Sequence, residues 1–414
     1  MLVLKNGLMF DGVSEDLKRG HLVIDGAKIV DVIESTSESN FENCPVLDLE
    51  GKYVTPGFIE SHMHFFTNEI PEPDKRCNEV TPGGEVKENT EYYRVLRGVY
   101  SARKVLEAGF TTVFDGGGIN FMDAAFKEAL SVGLVNGPDY FICGKQITAG
   151  QGHFPGLGYD ACGVWEMKKA VRKMLWYGAD HIKLKMSAPM RMPGRNTERS
   201  EFTVPEIEAA CEEAHSAGLL VSAHARGAQP IKDFIMGGGD RIVHGTGIDD
   251  EGIEMMLNKG LYLYPTIMSP YYMVSDLVKS IKPLSAVKSY EKKGREHFDS
   301  VKRAYEAGVK IAFATDSGGM DHFPGDNAKE MLYMKEMGMS NLYILRSATS
   351  EAAKALGISD SVGLLKKGYR ANIVVLDENP FEKIETALDV KMVIHAGKVV
   401  KSIIPTIQLN CNTL

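Results

Sequence analysis

At 414 residues the chain exceeds one ordinary hydrophobic core, so it should fold either as a large barrel with an accessory domain or as two domains. Hydrophobic residues at 44% and charged residues at 25% are average globular usage. A net charge of -8 and a pI near 5.8 lack the basic footprint that nucleic acid or an anionic membrane requires.

A small-molecule partner is therefore expected, with no nucleic acid and no membrane. Cys44, Cys77, Cys143, Cys162, Cys211 and Cys411 are scattered without a C-x-x-C pair, the usage of free thiols in a reducing cytoplasm. The opening MLVLKNGLMFDG does not read as a signal peptide, and no later run approaches the length of a membrane span. A cytoplasmic protein is expected.

In chain order, the first stretch alternates short strand-like runs with turns: Leu2 to Leu4, His21 to Ile24, Lys28 to Val32 and Val46 to Leu49, punctuated by Asn6-Gly7 and Asp25-Gly26. The last stretch repeats this in Asn372 to Leu376, Val390 to His395 and Lys398 to Ile403. Too short to stand alone, the two ends should combine in one small β-sandwich, residues 1–55 plus 357–414. Between them, residues 56–356 carry apolar β-branched runs separated by helical segments, the pattern of parallel βαβ units. The runs are Gly57 to Ser61, Thr111 to Phe114, Tyr140 to Cys143, His181 to Lys185, Leu219 to Ala223, Arg241 to His244, Tyr262 to Thr266 and Lys310 to Ala314. Eight such strands predict an α/β fold, a closed (β/α)8 TIM barrel. Val204 to Ala217 is a predicted helix, with Thr203 and Glu206 at capping-box spacing, Pro205 in the first turn and Gly218 as the stop. Polar loops at 65–92, 144–165, 186–203, 268–290 and 317–327 follow strand C-termini, where a barrel builds its active site.

The sharpest local feature is His62-Met63-His64. On a strand, side chains at i and i+2 share a face, so both imidazoles can converge while Met63 points away. An isolated H-x-H is as readily two ordinary histidines. Here, however, His224 closes the fifth run, His244 the sixth, and Asp316 follows the eighth, so one rim of the barrel collects them all. Lys183 is level with them: alternation in His181 to Lys185 turns Ile182 and Leu184 toward the helices and Lys183 inward, where a lysine needs neutralisation or a partner. Pairing with Asp316 would satisfy it; a place in a metal site would as well.

The elements Pro56-Gly57-Phe58-Ile59-Glu60-Ser61-His62-Met63-His64, Gly178 to Lys183, Ala223-His224-Ala225, Val243-His244-Gly245 and Thr315-Asp316-Ser317 resemble the successive motifs of the amidohydrolase superfamily, in family order. Ala348-Thr349-Ser350 and Gly368 to Leu376 are similar to its closing signature, with Asn372 where the family often has Asp. The resemblance spans almost the whole chain and is strongest to the Xaa-Pro dipeptidase-like, imidazolonepropionase-related branch. It implies two divalent metals: His62 and His64 on the more buried one, His224 and His244 on the more exposed one. Lys183, N6-carboxylated, would bridge them, and Asp316 would contact the buried metal. Zinc is the default for imidazole and carboxylate-type oxygen, with manganese or iron as alternatives. A metal-bridging hydroxide would attack the scissile carbonyl while Asp316, as catalytic acid/base, carries the proton to the leaving nitrogen. His153, in Gly150-Gln151-Gly152-His153, would hold the substrate carbonyl or the oxyanion. A homo-oligomer is implied in the same way.

The activity so implied is hydrolysis of an amide (C–N) bond in a small carboxylate-bearing substrate, such as a dipeptide or N-acyl amino acid. Hydrolysis of a cyclic amidine or imidazolone, or deamination, is the alternative; such relatives typically use one metal and lack the fourth-strand lysine. A scaffold that had lost catalysis would have no reason to fill all six ligand positions. Arg226 shares His224's face one step nearer the mouth, where the dipeptidase-like relatives are expected to carry a tyrosine. A guanidinium there would grip a substrate carboxylate. Arg191, Arg195 and Arg199 make the neighbouring loop basic. A structural acid paired with Arg226 and a solvated loop are the plainer alternatives.

Overall fold

Strands from the two ends of the chain meet edge to edge. In the computed structural model, which describes residues 1–34, 41, 44–66, 90–150, 152, 158–188, 196–272, 274, 279, 284–318 and 323–404, the strands Leu2–Met9, Lys18–Asp25, Lys28–Glu34, Val46–Asp48 and Tyr53–Pro56 share one eight-stranded sheet with Ile373–Leu376, Met392–His395 and Lys398–Ser402. The join is antiparallel, with Val54 opposite Val375 and Thr55 opposite Val374. Alternation along these strands sends Leu4, Leu22, Ile24, Ile29, Val54, Ile373, Val375 and Ile394 into an apolar core separate from that of the barrel. The second hairpin closes at Asp25 opposite Lys28, with Gly26 at φ 53°, a left-handed value that a tight two-residue turn needs.

The barrel strands, in order, are Phe58–Met63, Phe110–Asp115, Asp139–Phe141, Ile182–Lys185, Val221–Arg226, Arg241–Thr246, Tyr262–Tyr264 and Lys310–Ile311. Neighbours pair in parallel. The ring is completed by backbone bonds beyond the regular strands: Asp180 N–H to Ile142 O joins the third and fourth, and Ser61 N–H to Phe313 O joins the first and eighth. The predicted helix forms at Val204–Ser216 with both halves of the Thr203/Glu206 capping box.

The seventh and eighth strands are shorter than the apolar runs suggest. Pro265, directly after the seventh strand, has no N–H to give the ladder; Thr266 takes a left-handed φ of 47° and Asp316, beyond the eighth strand, one of 59°. Both residues lie at the barrel's C-terminal rim.

Candidate metal centre

His62 lies at the end of the first strand and His64 just beyond it, their rings 5.0 Å apart and nearly perpendicular. Met63, between them, packs into the barrel's apolar cluster. Gly116 makes room for the pair, because a Cβ there would stand 2.1 Å from His62 Cε1 and 2.6 Å from His64 Cε1. The Gly117 carbonyl lies 3.4 Å from His64 Nδ1, which favours a proton on Nδ1 and leaves Nε2 to face Asp316. Asp316 Oδ1 is 3.4 Å from that Nε2 and 3.5 Å from His62 Nε2. Ligand atoms of these three residues all lie within 4.8 Å of one another, a spacing that one cation can bridge.

Lys183 is fully buried, with Nζ 3.3 Å from His62 Nε2. Burial first, and then the charge of Lys185, holds its amine well below the usual lysine range. Strand register sets His224 beside Lys185 and His244 beside Ala225. The His244 ring is 4.6 Å from His224 and 6.4 Å from His62, so the imidazoles run as a connected series across the rim. His244 sits at φ 76°, and its Nδ1 is 2.7 Å from Thr266 Oγ1. Burial, reinforced by the charge of Arg226, keeps the His244 imidazole neutral, the form a metal needs. For Asp316 burial works upward, but the His62 and His64 imidazoles against it outweigh it and hold the carboxyl well below its ordinary range.

All six predicted ligands thus reach one rim. The donor set fits divalent cations: imidazole nitrogens and a carboxylate with their lone pairs turned inward. Asp316 supplies the sole carboxylate of the compact set among the described residues.

The family model for the amidohydrolase family matches residues 53–400. The chain belongs to that family. An ochratoxinase of Aspergillus niger is 28% identical, covering 96% of this chain and 85% of that enzyme. A 5-methylthioadenosine/S-adenosylhomocysteine deaminase of Thermococcus onnurineus is 24% identical, covering 91% of this chain and 86% of its own length. The crystal structure of a Xaa-Pro dipeptidase with bound methionine superposes with a TM-score of 0.86 at 30% identity, over 96% of this chain and 99% of that one. The fold is accordingly the (β/α)8 barrel expected, and the protein is a hydrolase acting on C–N bonds.

Around these candidate ligands the amidohydrolase has a layer of buried groups that motif reading did not single out. Glu60, fully buried, accepts hydrogen bonds from His62 N–H, Thr315 N–H, Thr315 Oγ1 and Asn327 Nδ2, and burial pushes its carboxyl up to about 7. Glu330 accepts from the Ile267 and Met268 amides at 2.6 Å each, fixing the turn that carries Thr266. Asp115 accepts from Phe65 N–H, Gly117 N–H and the Tyr140 hydroxyl, bracing the loops after the first two strands.

Arg226 is buried, and its NH1 donates to Thr246 Oγ1 at 2.9 Å. That hydroxyl donates in turn to His297 Nδ1 at 2.7 Å, and His297 Nε2–H to Pro265 O at 2.8 Å. The chain has one polarity, because a guanidinium only donates and a prolyl carbonyl only accepts. His297 belongs to the helix Leu284–Glu306, which no strand-based reading could connect with the rim. His181 has Nε2 3.0 Å from Asp115 O, and His215 pairs with Asp240 at the surface. Arg199 is exposed. His153, Arg191, Arg195 and His322 lie outside the described residues. Among the described residues no helix is long and apolar enough to cross a membrane.

Proposed function

We propose that this amidohydrolase is a two-metal enzyme that cleaves the amide bond of a small carboxylate-bearing substrate, a dipeptide or an N-acyl amino acid. The observation that carries the reading is Lys183: a fully buried amine 3.3 Å from His62 Nε2, level with the candidate ligands. A neutral amine adds carbon dioxide and releases one proton. The resulting carbamate on Lys183 would add to the carboxylate of Asp316 beside His62 and His64 and bring negative charge to the His224 and His244 side. His62, His64 and Asp316 would hold one ion, His224 and His244 the other, with carboxylated Lys183 between them. Zinc is the metal proposed, and bound ions of this kind polarise a carbonyl and acidify water.

The remaining steps belong to the chain. Asp316, gripped by His62 and His64, takes the proton of the attacking water and delivers it to the leaving nitrogen. His153 is assigned to the substrate carbonyl oxygen. Arg226, aimed by Thr246, binds the substrate carboxylate through two parallel hydrogen bonds.

The likeness to a Thermococcus deaminase favours a second reading, deamination or hydrolysis of a cyclic amidine. Lys183 weighs against it, because the single-metal centres expected for that chemistry have no use for a bridging lysine. Elemental analysis with electron density at Lys183, followed by a screen of dipeptides and N-acyl amino acids, tests the choice. About two metals per chain, a carbamate and amide hydrolysis are expected. A single metal, an unmodified amine and ammonia released from a cyclic amidine would overturn the first reading in favour of the second.

A further inference from the structure

The first barrel strand and the segment after the eighth are held by Ser61 N–H to Phe313 O at 3.0 Å, Asp316 N–H to His62 O at 2.8 Å and His64 N–H to Ser317 O at 2.7 Å. Within this run the amides of His62 and Thr315 both donate to one side-chain atom, Glu60 Oε1, at 3.1 and 3.0 Å. Glu60 precedes His62 by two residues on the same strand, so its side chain shares the interior face and reaches the seam. Its other oxygen accepts from Thr315 Oγ1 at 2.9 Å and Asn327 Nδ2 at 2.7 Å. Thr315 Oγ1 also accepts from Ser317 N–H at 2.9 Å. One carboxylate therefore grips both neighbours of Asp316, Thr315 directly and Ser317 through the Thr315 hydroxyl.

Asp316 needs that grip. Its φ of 59° is costly for a residue with a Cβ and persists only where surrounding contacts over-determine it. The same turn that aims Asp316 Oδ1 at His62 and His64 draws the Thr315 amide out of the ladder, and Glu60 supplies the acceptor in place of a carbonyl.

We propose that Glu60 is a positioning residue of the metal centre: its carboxylate, set into the seam between the first and eighth strands, holds His62 and Asp316 in facing register. The group must accept only. Four donors converge on its two oxygens, and an amide would turn an N–H₂ against at least one of them.

The inference rests on the metal-site reading, and its test reads metal rather than turnover. Metal-stripped wild type and Glu60→Gln are titrated with zinc against a chromophoric chelator, and the cobalt-substituted proteins are compared by visible absorption. Glu60→Gln is expected to bind zinc about 10–100-fold more weakly, the usual consequence of losing a group that orients a ligand, and to shift the cobalt bands. A purely structural Glu60 would lower the melting temperature of the metal-free protein and leave affinity and spectrum as in wild type, which would overturn the proposal. If Glu60→Gln does not fold, Asn327→Ala removes one of the four donors while keeping the carboxylate. Weaker zinc binding is expected there too, and unchanged affinity with unchanged bands overturns the proposal. A wild type that binds no zinc would overturn the metal reading itself, a result distinct from equal binding by wild type and variant.

Discussion

Removing the Lys183 side chain deletes the buried amine without touching the packing of its strand, because Ile182 and Leu184 on either side belong to the apolar cluster. Lys183→Ala is expected to fold, to retain about one metal or fewer per chain by elemental analysis, and to lose most turnover, with partial recovery in short-chain carboxylates that replace the carbamate. Asp316→Asn keeps shape but cannot take a proton, so turnover should fall by roughly 10²–10⁴-fold while much of the metal stays. Near-normal turnover in that variant would assign proton transfer elsewhere. The six candidate ligands were legible in the sequence because each lies on, or just after, an apolar run that reads as a barrel strand. Glu60 stands inside the very motif that revealed His62, yet its role depends on Thr315 and Asn327, more than 250 positions away. Period-two spacing from His62 turns it to the interior, but nothing local names the partners it meets there.

Between elements, the decisive contact is the helix Leu284–Glu306 against the sixth strand. Period-two alternation put Arg226 on the interior face, but the pairing slips between Ala225 and Arg226, so that Arg226 lies opposite Thr246. That shift, which accompanies left-handed His244 and Gly245, lets Thr246 link the guanidinium to His297. Arg226→Gln should raise KM for carboxylate substrates by roughly 10–100-fold and spare their amidated analogues. Thr246→Val, which removes only the aiming bond, should raise the same KM by a smaller factor, roughly 3–10-fold. Equal effects on acidic and amidated substrates would show that Arg226 does not read charge. Strand positions were readable from β-branched runs, whereas the turn at Asp316 and the arrival of His297 depend on tertiary contacts that no periodicity encodes.

At the scale of the whole molecule, the barrel and the terminal sheet meet at Asp139, where the third barrel strand begins. Arg370 NH2 donates to Oδ1 at 2.7 Å, His395 Nε2 lies 3.1 Å from the same atom, and Asn372 Nδ2 donates to Oδ2 at 2.9 Å. Asn372 also accepts from the Ala396 amide through Oδ1, whereas an aspartate there would set carboxylate against carboxylate. Burial works to raise the Asp139 carboxyl, but His395 and Arg370 outweigh it and hold it below its ordinary value of 3.8. Its ionised form is therefore favoured by folding. That stability is present above pH 3.8 and is lost as pH falls through the depressed value. Asp139→Ala should cost about 1.5–3 kcal/mol at neutral pH, read as a lower melting temperature, and the gap from wild type should close as the pH drops below this range. A gap that persists in acid would mean that packing, not charge, joins the two parts.

The edge-to-edge meeting of Tyr53–Pro56 with Ile373–Leu376 also sets a timetable for synthesis. Val54 has left the ribosome long before Val375 exists, with roughly 320 residues still to be added, which at 5–20 residues per second is about 15–65 s. Throughout that interval Tyr53–Pro56 lacks its antiparallel neighbour, a bare strand edge open to mispairing with other nascent chains. Folding yield in the cell should accordingly depend on whatever shields the first 56 residues until the last forty arrive.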